Sequence, residues 1–246
     1  LWRTRAWMTV RTQNDADMET RYLKPGEGEE VKGGDMLDVD RLAVAVDGLG
    51  LWVSNDAGDS FDVHPDIPTD ARLQQVQASP TIEHDGTALV VGMGGIWRTT
   101  NHGDTFELVA DLEVVNIVDV DFSWDWANDG RACAVSESGW VWCSEDRGET
   151  WEQTAQAGPM AWSISVDQGE GIWVGTGNLG LVHSIDGGET WTVGGFPGTG
   201  VTVVEVFPDG LLLATLLDEA VQRSIDGGQT WDLRADYLEP ATPQPL

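Results

Sequence analysis

The 246-residue chain carries 42 acidic against 13 basic side chains, a formal charge of -29 that repels phosphate backbones and anionic lipid heads and so excludes nucleic acid and membrane surfaces as partners. Hydrophobic residues make up 41%, enough for a packed core and too many for a disordered acidic tail. Its 30 glycines and 13 tryptophans, beside only 2 tyrosines, suggest sheets joined by tight hairpins.

The opening LWRTRAW (1–7) has neither an initiator methionine nor a signal-peptide pattern, and reads as the start of a processed or trimmed product. Residues 1–40 do not repeat cleanly. LWRT (1–4) mirrors IWRT (96–99), or TQNDADMETRY (12–22) is a decayed copy of a later stretch; KPGEGEEVKGGD (24–35) reads as an exposed acidic loop. This segment is expected to supply strands of one irregular blade. Short apolar strands then follow in pairs and threes: LAVAV (42–46) and GLWV (50–53), then TALVVGM (87–93) and GIWR (95–98). VVNIVDVDF (114–122), RACAV (131–135), WVWC (140–143) and TWEQTA (150–155) form a fuller set. AWSISVD (161–167), GIWVG (171–175) and GLVH (180–183) come next, followed by VTVVEVF (201–207), LLLATLL (211–217) and AVQR (220–223). The run GLLLATLL (210–217) is far shorter than the ~18 apolar residues a membrane span needs. EPATPQPL (239–246) is proline-rich and reads as the beginning of a linker.

Each set runs into the same polar octapeptide: SNDAGDSF from Ser54, TTNHGDTF from Thr99, SEDRGETW from Ser144, SIDGGETW from Ser184 and SIDGGQTW from Ser224. A period of about 40–45 residues over five copies signals a repeat architecture. Four strands per period, joined by hairpins, describe a propeller blade. The expected fold is therefore an all-β propeller of four-stranded antiparallel blades, a single domain over residues 1–238. Five blades are clear, with an irregular sixth from the N-terminus.

The octapeptide has a physical reading. The hydroxyls of Ser54, Thr99, Ser144, Ser184 and Ser224 can bond backbone N–H groups of their own turn, as can Asp56, Asn101, Asp146, Asp186 and Asp226. Gly58, Gly103, Gly148, Gly188 and Gly228 supply a backbone with φ above zero. Phe61, Phe106, Trp151, Trp191 and Trp231 bury a ring beneath the hairpin. The motif is a staple between the third and fourth strands, and its carboxylates are structural.

These residues resemble Asp-box repeats, also called bacterial neuraminidase repeats, over about residues 40–233. Such boxes occur in sialidases, xyloglucanases, sortilin-type receptors, photosystem II assembly factors and secreted bacterial proteins. The resemblance implies a propeller and an extracellular, cell-surface or periplasmic location, but it is silent on activity. A sialidase would need an arginine triad and a tyrosine nucleophile. Only Tyr22 and Tyr237 exist, near the termini, and the R-I-P signature is absent. The expected function is a non-catalytic binding or scaffold module for a protein or carbohydrate ligand. The alternative is a glycoside hydrolase-like protein using an inner-face carboxylate pair; Asp119, Asp121 and Asp125 form the densest such group.

Other patterns are weaker. Gly175 to Gly180 matches G-x-G-x-x-G, but a strand follows where dinucleotide binding needs a helix. Asp125, Asp129 and Gly130 imitate part of a calcium loop, yet Ala127 and Ser136 fall where oxygen ligands belong. His64, His84, His102 and His183 are scattered, so no metal site or cofactor is expected beyond adventitious calcium. The acids are spread along the chain, as a salty habitat would favour; attraction of cations or basic partners is the functional alternative. Trp52, Trp97 and Trp142 precede octapeptides at a constant offset and are expected between blades. Trp124 and Trp126 break the pattern and, with Asp119 and Asp121, are candidates for a ligand surface. Cys133 and Cys143 are symmetric about a turn at Ser138, which would set them opposite each other within disulfide range.

Overall fold

The computed structural model describes residues 9–14, 17–22, 31–217 and 221–235; the first residues, LWRTRAWM, and the tail at 239–246 lie outside them. Strands β1 (Thr9–Asn14) and β2 (Asp17–Tyr22) pair with each other. An antiparallel four-stranded sheet follows, made of β3 (Val31–Asp38), β4 (Arg41–Val46), β5 (Gly50–Ser54) and β6 (Asp62–Val63). A six-stranded sheet runs through β7 (Leu73–Ala78), β8 (Ala88–Thr99), β9 (Glu107–Phe122), β10 (Ala132–Ser136), β11 (Trp140–Ser144) and β12 (Glu152–Gln156). Two more four-stranded sheets complete the order. One is β13 (Ala161–Val166), β14 (Ile172–Thr176), β15 (Leu181–Ser184) and β16 (Thr192–Gly195). The other is β17 (Val201–Val206), β18 (Leu212–Leu216), β19 (Val221–Ser224) and β20 (Asp232–Ala235). Single helical turns α1 (Ile82–Asp85) and α2 (Trp126–Asp129) interrupt the β7–β8 and β9–β10 connections. This is an all-β propeller of antiparallel, four-stranded blades.

The blade count departs from the sequence reading. Among the described residues there are four blade sheets, not five and a sixth. The second and third octapeptides share one sheet because β8 and β9 run on where the repeat predicts breaks. β8 pairs with β7 as far as Gly92 and with β9 from Met93 onward. β9 in turn leaves β8 at Asn116 and joins β10 from Ile117. Its sequence, ELVADLEVVNIVDVDF, contains no proline or glycine to stop a strand. Nor do β1 and β2 complete a ring: among the described residues their only ladder is to each other. The acidic stretch at 24–35 is also not all loop, since Val31–Asp38 is the inner strand of the first sheet. Gly33 serves close packing there. A Cβ on Gly33 would stand 2.2 Å from Oε1 of Gln75.

Sheets stack face to face, so the core lies between them. Leu37, Ala43, Ala45 and Leu51 meet Leu73, Val76, Val90 and Trp97 at the first boundary. Cys133, Val135 and Val141 meet Ile164, Val166, Ile172 and Val174 at another. Trp173 and Leu181 meet Val204, Val206, Leu212 and Ala214 at the last. Middle strands β10 and β14 are buried at every position, which is why their sequences are continuous apolar runs rather than alternating ones. Trp97 and Trp142 are 6% exposed, in the core as expected, whereas Trp52 on the first sheet is half-buried. Cys133 and Cys143 stand opposite each other across β10 and β11 with α-carbons 4.1 Å apart, joined as a disulfide.

All five octapeptides close the same way. The leading hydroxyl accepts the N–H of the fifth residue at 2.8–2.9 Å and donates to the third at 2.7–2.8 Å. The fifth-position glycines have φ between +78° and +93°, strained for any other residue. Three of them also admit the preceding sheet: a Cβ would stand 2.6 Å from the Trp173 ring on Gly228, 2.5 Å from Leu37 on Gly103 and 2.7 Å from Thr154 on Gly188.

Candidate functional site

The candidate carboxylates lie on first strands of repeats, Asp35 on β3 and Asp119 and Asp121 on the second half of β9. β3, β7, the second half of β9, β13 and β17 neighbour one another in that order, and side chains of one strand reach the backbone of the next. Asp35 Oδ2 accepts the N–H of Ala78 at 2.9 Å. Asp119 Oδ2 accepts that of Ile164 at 3.0 Å, and Asp121 Oδ2 accepts both the Val166 N–H at 2.9 Å and the Ser165 hydroxyl at 3.1 Å. Ser163 and Ser165 repeat the pattern one strand on, accepting the N–H groups of Val204 and Val206 at 3.0 and 3.1 Å. Between β7 and β9 the pattern lapses, and Gln75 donates instead to Gln77.

Burial pushes the Asp119 carboxyl up to about 8, against two backbone N–H bonds that favour its charge, with Asp121 and Glu205 adding repulsion. Asp121 is pushed up to about 6, again by burial, opposed by the N–H groups of Val166 and Phe122 and the Ser165 hydroxyl. Burial raises Asp35 likewise. Raised carboxyls suit proton transfer, but a hydrolytic pair must present free oxygens to substrate and water. Here Asp119 has its second oxygen on the Val120 N–H at 3.0 Å as well. Asp119 and Asp121, both half-buried on the inner strand, thus serve as bridges to the next strand. Asp125, the third acid of the group, accepts from the Asn128 amide at 2.6 Å beside α2.

Trp126 requires a correction. It is 0% exposed, and its indole N–H donates to Asp85 Oδ2 at 2.6 Å while its ring lies edge-on to Phe122. Trp124 is 39% exposed; its N–H donates to the Val206 carbonyl and its ring sits 6.0 Å from that of Phe207. The cause is a second repeat that the sequence reading missed. Ser79-x5-Asp85-Gly86 and Ser123-x5-Asp129-Gly130 share one spacing. Ser79 donates to Asp85 at 2.8 Å and Ser123 to Asp129 at 2.6 Å, and each closing glycine is left-handed. This turn, not a calcium loop, is what Asp129 and Gly130 build, and it swings Trp126 inward. Burial would raise Asp85, but bonds from the Thr87 N–H, Trp126, Thr81 and Ser79 outweigh it and hold the carboxyl low.

Among the described residues no three acids, histidines or cysteines gather as metal ligands would. His64 packs edge-on against Phe106, and His183 stacks on Trp173 at 3.8 Å, its basicity lowered by burial. The glycines at 175–180 turn a hairpin, Thr176 N–H to Gly180 carbonyl at 2.9 Å. A shallow depression of about 270 Å³ lies beside Arg41, whose guanidinium is taken up by Asn55 and Asp104. Exposed apolar side chains are scattered, from Trp140, Met160, Leu179 and Leu217 to Ile185 and Ile225 inside the octapeptides.

No protein-family model matches the chain, and no curated protein does. Solved structures do. An ancestral GH74 enzyme superposes with a TM-score of 0.69 at 20% identity, over 88% of this chain and 32% of that one. YCF48 bound to a D1 peptide gives 0.65 at 16% identity, over 94% and 77%. The GH74 xyloglucanase from Xanthomonas campestris gives 0.61 at 19%, over 82% and 38%. The chain thus spans about a third of the length of the GH74 enzymes it matches. Identities this low establish the propeller fold and nothing about activity.

Proposed function

We propose that the chain is a non-catalytic binding or scaffold module, built from Asp-box repeats and working outside the cell, at its surface or in a periplasm. One observation carries the reading: the inner-strand carboxylates that would have to serve hydrolysis are committed to the backbone of the next strand. The Cys133–Cys143 bond fits an oxidising compartment. YCF48, a propeller seen with a peptide bound, supports the use of this fold for holding a polypeptide. The module needs no cofactor, and adventitious calcium is the one ion its acidic surface invites.

The GH74 neighbours favour a second reading, a glycoside hydrolase-related protein acting on carbohydrate. Incubation with xyloglucan oligosaccharides and fluorogenic sialosides separates the two. The binding module releases nothing above buffer. Turnover that disappears in Asp119→Asn or Asp121→Asn would establish the hydrolase instead.

A further inference from the structure

Inner strand β17 lies at the edge of its sheet, so part of its backbone faces away from β18 and needs partners outside the ladder. Val206, at its end, finds two. Its N–H donates to the Ser165 hydroxyl of β13 at 3.1 Å, and its carbonyl accepts the indole N–H of Trp124. The second partner comes from the turn after β9 and reaches past β13, a contact spanning 82 residues of sequence. The ends of β9, β13 and β17 stand level, because Asp121 takes the Val166 N–H and Ser165 takes that of Val206.

The turn at 123–131 sends out two further arms. Trp126 donates to Asp85, 41 residues back in the sequence. Arg131 donates to the Gly169 carbonyl, 38 residues on, between β13 and β14. Ser123 closes the turn on Asp129, so all three arms share one base. They differ in exposure: Trp126 and Arg131 are 0% and 5% exposed, and Trp124 is 39%. Solvent reaches the Trp124 side chain, so water can take over its bond; the other two arms are buried.

We propose that this turn is a clasp over one end of the inner strands and that Trp124 is its releasable arm. When the indole leaves Val206, the last sheet opens locally from the third, while Trp126 and Arg131 keep the other sheets fastened. The Phe207 ring, 6.0 Å from that of Trp124, steadies the closed position. Closed and open states differ by one hydrogen bond and one ring contact, a step that is crossed without unfolding the core.

The test is residue-resolved hydrogen exchange on the full chain. Trp124→Phe keeps a ring and removes the N–H. Amides of β17 and β18 exchange roughly tenfold faster in this variant, while those of β4 and β10 stay within about twofold. Trp124→Ala, which also removes the ring, has the larger effect in the same strands; should it fail to fold, Trp124→Phe decides alone. Trp140→Phe, at an equally exposed tryptophan in another turn, leaves β17 and β18 unchanged. Unaltered exchange in β17 and β18 on Trp124→Phe would overturn the clasp. So would equal acceleration in β4 and β10, since Trp124 would then support the whole molecule and release nothing in particular.

Discussion

Ser144 shows how much one hydroxyl does in these turns. It is 1% exposed, accepts the Gly148 N–H at 2.9 Å and donates to Asp146 at 2.8 Å. Removing the oxygen strands a buried N–H and frees the carboxylate that holds Thr150. Ser144→Ala should therefore cost about 1–3 kcal/mol in urea denaturation. Ser144→Thr should cost less, because Thr99 makes the same pair of bonds in the second copy. Equal losses in the two variants would show that the hydroxyl is not what matters. This residue was legible in the sequence because its chemistry and its repetition agree. Trp126 was not, since a tryptophan among acids suggests exposure. Its burial depends on α2 and on Asp85, 41 residues away.

Strands β10 and β11 were legible for a different reason: a short turn fixes register, and register fixes which side chains meet. Cys133 and Cys143 face each other as the symmetry about Ser138 requires. The bond closes a short loop, so in the chain-entropy account Cys133→Ala with Cys143→Ala should lower stability by about 2–3 kcal/mol. Thiol titration in denaturant should find none before reductant and two after it; two at the outset would refute the bond. Strand ends were the illegible part at this scale. Repeat spacing places a break within 88–122, but a glycine pair at Gly94 and Gly95 shifts the ladder without ending β8. Only pairing with β7 and β10 shows that two repeats share a sheet. The inner carboxylates were legible as a cluster and not as a function, because whether an acid faces a ligand or the neighbouring strand is decided by stacking.

For the whole molecule, the acids divide into two populations with opposite pH behaviour. Asp56, Asp186 and Asp226 are held down at about 2 by bonds from Ser60, Thr190 and Thr230 and from their own octapeptides. A depressed carboxyl contributes stability above its unfolded value, near 4, and that stability is lost as pH falls toward 2. Asp119 and Asp121, raised to about 8 and about 6, do the reverse. They bind protons more tightly when folded, so their contribution is complete below pH 4 and is lost as pH climbs through 6 and then 8. Melting temperature should therefore peak on the acid side of neutrality, near pH 4–5, and decline toward pH 8. General repulsion among the 42 acids pushes in the same direction, but salt near 1 M screens it and acts less on the half-buried pair. The next inner strand supplies the decisive substitution, since Ser163 and Ser165 accept the same kind of N–H without a titrating group. Asp119→Ser with Asp121→Ser should flatten the decline between pH 5 and 8 in high salt while leaving the loss below pH 4 unchanged. An unaltered slope would mean that both carboxylates stay ionised between the strands, bonded strongly enough to offset their burial.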